Sequence, residues 1–230
     1  MMHYKIIHLV ILTIFTFSNV WAFENSSLHL PVMKNMPGAH YRWVARSIVY
    51  NGKLMSIRNF SSDKNIQEVL RYYMSKFKSK GNGSYRVIRI GTAEAIAYEY
   101  NGILYSIEVK QVMNGIVGTE TISNKKKYQG RHSTFPIEMR GKLLTKIIHI
   151  DEVREAETLI LSSHGSIDSI LNWYRSAFRR SGWSRYVHRN QNNTYEEQYQ
   201  KGREYCQILY TTGNQMKQEK ILIQIHWVKG

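Results

Sequence analysis

Few side chains in this sequence have the type and spacing for covalent or acid–base chemistry. Cys206 is the only cysteine. A nucleophilic thiolate needs a base beside it and an electropositive, partly exposed setting. Cys206 instead alternates with Ile208 and Tyr210, which puts the three on one face of a strand. A small buried hydrophobe is therefore expected. A single cysteine rules out an intramolecular disulfide, and pairing between chains is the weaker option.

Beyond the N-terminal apolar run the histidines are His29, His40, His132, His149, His164, His188 and His226. None falls at the H-E-x-x-H spacing, and there is no second thiol to complete a ligand set, so neither a metal nor a cofactor is expected. Asp151-Glu152, Glu155 and Glu157 form one acidic cluster and Glu196-Glu197 another. Paired carboxylates can hydrolyse glycosides at suitable separations. These fall in a turn and on strand edges, where a solvated surface is expected. Phosphate-loop and G-x-S-x-G signatures do not occur, and no catalytic residue is assigned.

Basic residues are the stronger lead. The formal net charge is +15, which favours acidic partners. Lys125, Lys126, Lys127 and Arg131 lie together, and Arg175, Arg179, Arg180 and Arg185 lie on or just after a helical segment. These eight are the candidate binding surface. Tyr128, Trp183, Tyr186 and Tyr195 are interleaved with them and offer stacking platforms of the kind used on single-stranded nucleic acid.

The elements that carry these residues form an internal repeat. Ser61 to Gly81 matches Ser162 to Gly182 without a gap, and Ile66, Leu70, Tyr73 and Phe77 recur as Ile167, Leu171, Tyr174 and Phe178. Ile66, Val69, Leu70, Tyr73 and Phe77 lie on one face of a 3.6-residue period, so both segments are expected to be amphipathic helices. Ser61-Ser62-Asp63 and Ser162-Ser163 read as N-cap material, with His164 in the position of Asp63. Gly81 and Gly182 sit where a helix ends.

Strands are expected at 43–50, 53–60, 85–90, 93–100, 103–112 and 116–122. In the second copy they are expected near 143–150, 156–161, 184–190, 194–200, 203–212 and 218–228. Asn51-Gly52, Asn101-Gly102 and Asn114-Gly115 are hairpin turn signals. The expected fold class is α+β, with two tandem repeats, each an antiparallel β-sheet with one amphipathic helix packed on it (ββαββββ). The expected boundaries are a signal peptide at 1–22, repeat 1 at 39–123, a basic linker at 124–142 and repeat 2 at 143–230.

The N-terminus carries Lys5, an apolar run from Ile6 to Phe17, and Val20-Trp21-Ala22. That is the layout of a cleaved secretory signal, and the run is too short to span a bilayer. A secreted chain with one cysteine fits the bacterial periplasm better than a disulfide-rich extracellular space. The sequence thus leads to the expectation of an exported, non-enzymatic accessory or adaptor of a secretion or pilus-type envelope assembly, acting by protein–protein binding. A basic binder of anionic polymer is the second expectation: lipopolysaccharide, wall polymer, or less readily nucleic acid. A hydrolase without a recognisable motif is the third.

Overall fold

The computed structural model describes residues 30–79, 81, 84–129, 133, 135–150, 154–191, 193–212 and 220–230. The expected signal peptide at 1–22 lies outside them, as do His29, Arg131, His132 and Asp151-Glu152. The chain builds β1 (His40–Tyr50), β2 (Lys53–Ser62), α1 (Ile66–Ser79), β3 (Ser84–Ile90), β4 (Ala93–Tyr100), β5 (Ile103–Val112) and β6 (Gly115–Lys127). It then builds β7 (Lys142–His149), β8 (Ala156–His164), α2 (Ile167–Arg180), β9 (Ser184–Gln191), β10 (Thr194–Lys201), β11 (Glu204–Thr212) and β12 (Lys220–Val228). All twelve strands join one sheet in the order β3-β4-β5-β6-β2-β1-β7-β8-β12-β11-β10-β9. Every ladder is antiparallel.

The two halves of this order meet only at the β1–β7 ladder, where Ile48, Val49 and Tyr50 pair with His149, Ile148 and Ile147. Asn51 extends the joint, since its amide donates to the Lys146 carbonyl and its side-chain oxygen accepts from the Lys146 amide, both at 2.8 Å.

Helix α1 buries Val69, Leu70, Tyr73 and Phe77 against Phe60, Ile96, Tyr98, Tyr105 and Ile107. Helix α2 buries Ile170, Leu171, Tyr174 and Phe178 against Tyr199, Cys206, Ile208 and Tyr210. Each large apolar side chain so buried contributes about 1.5–3 kcal/mol. Both helices lie on the same face of the sheet. Val49 of the first core pairs with Ile148, and Ile148 with Glu157, which shares a strand face with Leu159 and Leu161 of the second core. On the opposite face Ile48, Ile57, Ile147 and Ile160 form a third, smaller cluster across the joint.

Local signals differ from expectation at three places. The caps are not the serines ahead of each helix, because Ser61-Ser62 and Ser162 to His164 belong to β2 and β8. Asn65 caps α1 in a reciprocal box with Glu68, each backbone amide bonded to the other side chain at 3.0 Å. Ser166 caps α2. His164 is therefore not a cap residue but ends β8, opposite Lys220. Asn51-Gly52 and Asn101-Gly102 take positive φ at both residues, as a type I′ turn requires. Asn114 does not, since the loop there is Met113-Asn114 and Gly115 already pairs with Val112.

Candidate binding site

The structure separates the described basic residues of the expected surface. Lys125 to Lys127 are the last residues of β6, so the first residues of the expected linker are strand. Lys125 Nζ reaches the exposed Glu99 carboxylate at 2.7 Å, and Lys127 pairs with Lys53 beside the Asn51-Gly52 turn. Arg175 and Arg185 do come together, both on Glu197 Oε1 at 2.7 and 2.9 Å. Arg179 and Arg180 are exposed in the last turn of α2, where positive charge complements the helix dipole. The β6 lysines and the α2 arginines are separated across the sheet, since β2, β1, β7, β8, β12 and β11 lie between β6 and β10, whose Glu197 holds Arg175.

Two carboxylates expected on the surface, Glu157 and Glu197, are in fact buried, and each holds a cation. Glu197 is fully buried, and besides the two arginines it accepts the Tyr199 hydroxyl at 2.6 Å. Glu157 accepts Lys229 Nζ at 2.9 Å, and Glu155 takes the same ammonium at 2.6 Å. In the first half Glu120 accepts from Arg58 Nε and the Tyr73 hydroxyl. Arg58 also donates to Asn35 Oδ1 and the Met33 carbonyl, both at 2.7 Å, and lies 4.2 Å over the Tyr41 ring. Burial holds the Glu120 carboxyl above its usual range, against the pull of Arg58 and Tyr73. Burial likewise pushes up the Cys206 thiol, which lies in the second core. These buried acids and the thiol are tied into the framework. The groups left facing solvent at two other places are better suited to recognition.

The first is the edge strand β3. It ends the sheet, and its exposed residues include Tyr85, Val87 and Ile88 together with Arg86 and Arg89. Side chains alternate between faces, so apolar surface is open on both sides of this edge. Arg86 and Arg89 form no ion pair among the described residues. The far edge, β9, carries two arginines as well but is more polar, and its Arg185 and Arg189 are engaged by Glu197 and Glu196.

The second is a cavity of about 270 Å³ at the end of α2. Its aromatic wall is Phe135, Phe178, Trp183 and Trp227, and its polar rim includes Ser181, Lys201 and Glu204. Local sequence explains the position of Trp183. The amide of Trp183 donates to the Phe178 carbonyl at 3.0 Å and that of Gly182 to the Arg179 carbonyl at 3.1 Å. This is a Schellman motif, with Gly182 at φ 79° where a side chain would be strained. Its usual hydrophobic contact is the Phe178–Trp183 pair, with centroids 5.3 Å apart. Trp227 meets Trp183 at 6.5 Å and 71°, packs on Phe135 at 5.7 Å, and donates its indole N–H to Glu204 Oε2 at 3.0 Å. Lys229 Nζ lies 5.0 Å over Trp227.

Trp183 stood out from the sequence as an interleaved aromatic, but Lys201, Glu204 and Trp227 did not. The available signal was the alternation of β12, which puts Trp227 in phase with Ile221, Ile223 and Ile225 on the helix-covered face at the strand's end. Arg86 and Arg89 were also passed over. Their signal was a strand with apolar residues on both of its faces and no acid of its own.

The comparisons add no family. No protein-family model, curated protein or solved structure matches the chain.

Proposed function

We propose that this chain is an exported, non-enzymatic accessory or adaptor protein of a bacterial cell-envelope assembly, of secretion or pilus type, which works by binding another protein. We further infer that it is built from two tandem copies of one ββαββββ unit. The ungapped match of α1 to α2 and the mirrored strand order on either side of the β1–β7 joint support the duplication.

The observation that carries the binding reading is the β3 edge. Natural proteins blunt a free edge with bulges, prolines or coverage by another element. The β3–β4 ladder runs without a bulge from Ser84↔Glu99 to Ile90↔Ala93. An extended segment can add to such an edge through main-chain hydrogen bonds, with alternate side chains giving specificity. Arg86 and Arg89 favour a segment carrying acidic residues, and their charge disfavours unselective association of edges.

The test is site-specific photocrosslinking in the native envelope. A crosslinker at Val87 should capture one defined partner, identified by mass spectrometry, and a crosslinker at the exposed Met113 loop should not. Arg86→Glu with Arg89→Glu should abolish the capture. Equal capture at both sites, or deletion of the gene without any envelope, surface or secretion defect, would sink this reading.

A further inference from the structure

We infer that the cavity at the end of α2 binds an acidic sugar unit, such as a uronic acid of a polysaccharide. The inference is independent of the β3 edge. Trp183 and Trp227 are both half-buried and set at 71° to one another, so they form an aromatic corner with ring surface left open. The face of an indole carries the negative end of its quadrupole. The axial C–H groups on one face of a pyranose carry partial positive charge and pack on it.

Above the corner, the rim supplies both halves of a hydroxyl's hydrogen bonding. The Glu204 carboxylate accepts, the Lys201 ammonium donates, and the Ser181 hydroxyl does either. One Glu204 oxygen already takes the Trp227 indole N–H. That bond fixes the carboxylate against the ring and leaves its other oxygen for a ligand. A flat apolar face bordered by paired donors and acceptors is the shape of a sugar.

Charge then selects among ligands. Lys229 already lies over Trp227 and is held there by Glu155 and Glu157. Trp227 thus already has its cation, so an aromatic-cage mode for quaternary ammonium groups does not fit. Lys201 is exposed and forms no ion pair among the described residues. Arg179 and Arg180, just before Ser181, add positive charge at the same end of α2. A ligand carboxylate therefore gains a charge-assisted hydrogen bond at Lys201.

At the topologically matching place in the first half, Phe77 stacks on Tyr98, Tyr98 on Tyr100 with centroids 6.2 Å apart, and Ile103 packs into the same core. Among the described residues, a tyrosine and an isoleucine thus stand there where the second half has the rim residues Lys201 and Glu204.

The experiment is titration of the full chain with trigalacturonate, followed by tryptophan fluorescence and calorimetry, with neutral maltotriose and a phenylalanine-containing peptide as comparison probes. Saturable binding of trigalacturonate is expected, weakening as salt rises, and maltotriose should bind more weakly. Trp183→Ala should remove the fluorescence response. Lys201→Glu, a change at the exposed end of β10, should lower affinity at least about tenfold with no change in thermal stability. Equal binding of maltotriose, indifference to Lys201→Glu or Trp183→Ala, binding of the peptide alone, or no saturable binding would each overturn the inference.

Discussion

Arg58 and Glu120 face each other across β2 and β6 beneath α1, and both are almost entirely buried. At the matching place in the second half, Leu159 faces Ile225, so the same architecture holds either an ion pair or two aliphatic side chains. Glu120→Ala leaves the guanidinium with Asn35 and the Met33 carbonyl but without its counter-charge, and it leaves the Tyr73 hydroxyl with the Tyr41 hydroxyl at 3.1 Å but without the carboxylate. Removing one partner of a buried pair costs about 3–5 kcal/mol. That is a large fraction of the roughly 5–15 kcal/mol that holds a typical fold together. Replacing both partners is a different matter, since a buried pair gives way to apolar residues with little loss or even a gain. Arg58→Leu with Glu120→Ile should therefore recover most of the deficit and end within about 2 kcal/mol of the parent. Urea unfolding of the parent, both single variants and the double variant completes the cycle. The Asn35 and Met33 contacts are lost with Arg58, so the 30–39 segment should become more accessible to protease in the double variant. If Glu120→Ala costs less than about 1 kcal/mol, or the double variant is as unstable as the two singles added together, the reasoning about desolvated charge fails.

Other outcomes follow from the same features. His226 is held below its ordinary pKa by burial and shares the Thr158 hydroxyl with His149. The unfolded chain therefore binds a proton more readily than the folded one. Stability is full above the unfolded value of about 6.5 and falls as pH drops through it toward the folded value. His226→Gln should flatten the melting temperature between pH 7.5 and 5 relative to the parent. Burial raises Glu138, but bonds from Arg140 and Ser163 overcome it and hold the carboxyl below its usual range. Its contribution is present above about pH 4.3 and is lost as pH falls further, so Glu138→Gln should reduce the acid sensitivity of the melting temperature in that lower window. Gly182→Val forces a branched side chain into a positive-φ position; it should cost about 1–2 kcal/mol by urea unfolding and shift the near-ultraviolet signal of Trp183. An unchanged spectrum would show that the helix terminus does not orient that ring.

Periodicity made the elements legible. Ile66 to Phe77 marked a helix face, and Ile221 to Trp227 marked a strand whose alternate residues do enter the core. What was not legible came from partners distant in sequence. Nothing near Glu197 announces Arg175 and Arg185 converging on it, and nothing near Glu120 announces Arg58. Glu157 and Glu197 were expected to be solvated because they fall on strand edges; a carboxylate is rarely buried unless paired, and the pairing is created by the sheet. The caps moved for a local reason: two strands ran further than their apolar pattern, so Asn65 and Ser166 became the first residues free to turn. The basic surface divided because the strand order sets β6, which ends in the lysines, apart from β10, whose Glu197 holds Arg175 of α2.

The β1–β7 joint has a consequence for how the chain acquires its structure. Every other ladder closes within residues 40–127 or within residues 142–228, so each half can complete its own pairings without waiting for the other. The sheet then becomes continuous by zipping a few residue pairs together. Emerging from a ribosome or a translocation channel, the first half can fold around α1 before α2 has appeared. Until β7 arrives, the β1 edge is uncovered, with Ile48, Val49 and Tyr50 along it. That interval is when a chain of this architecture is most exposed to pairing with the β1 edge of another copy. A chaperone that shields one short edge during synthesis would suffice to keep two such chains apart.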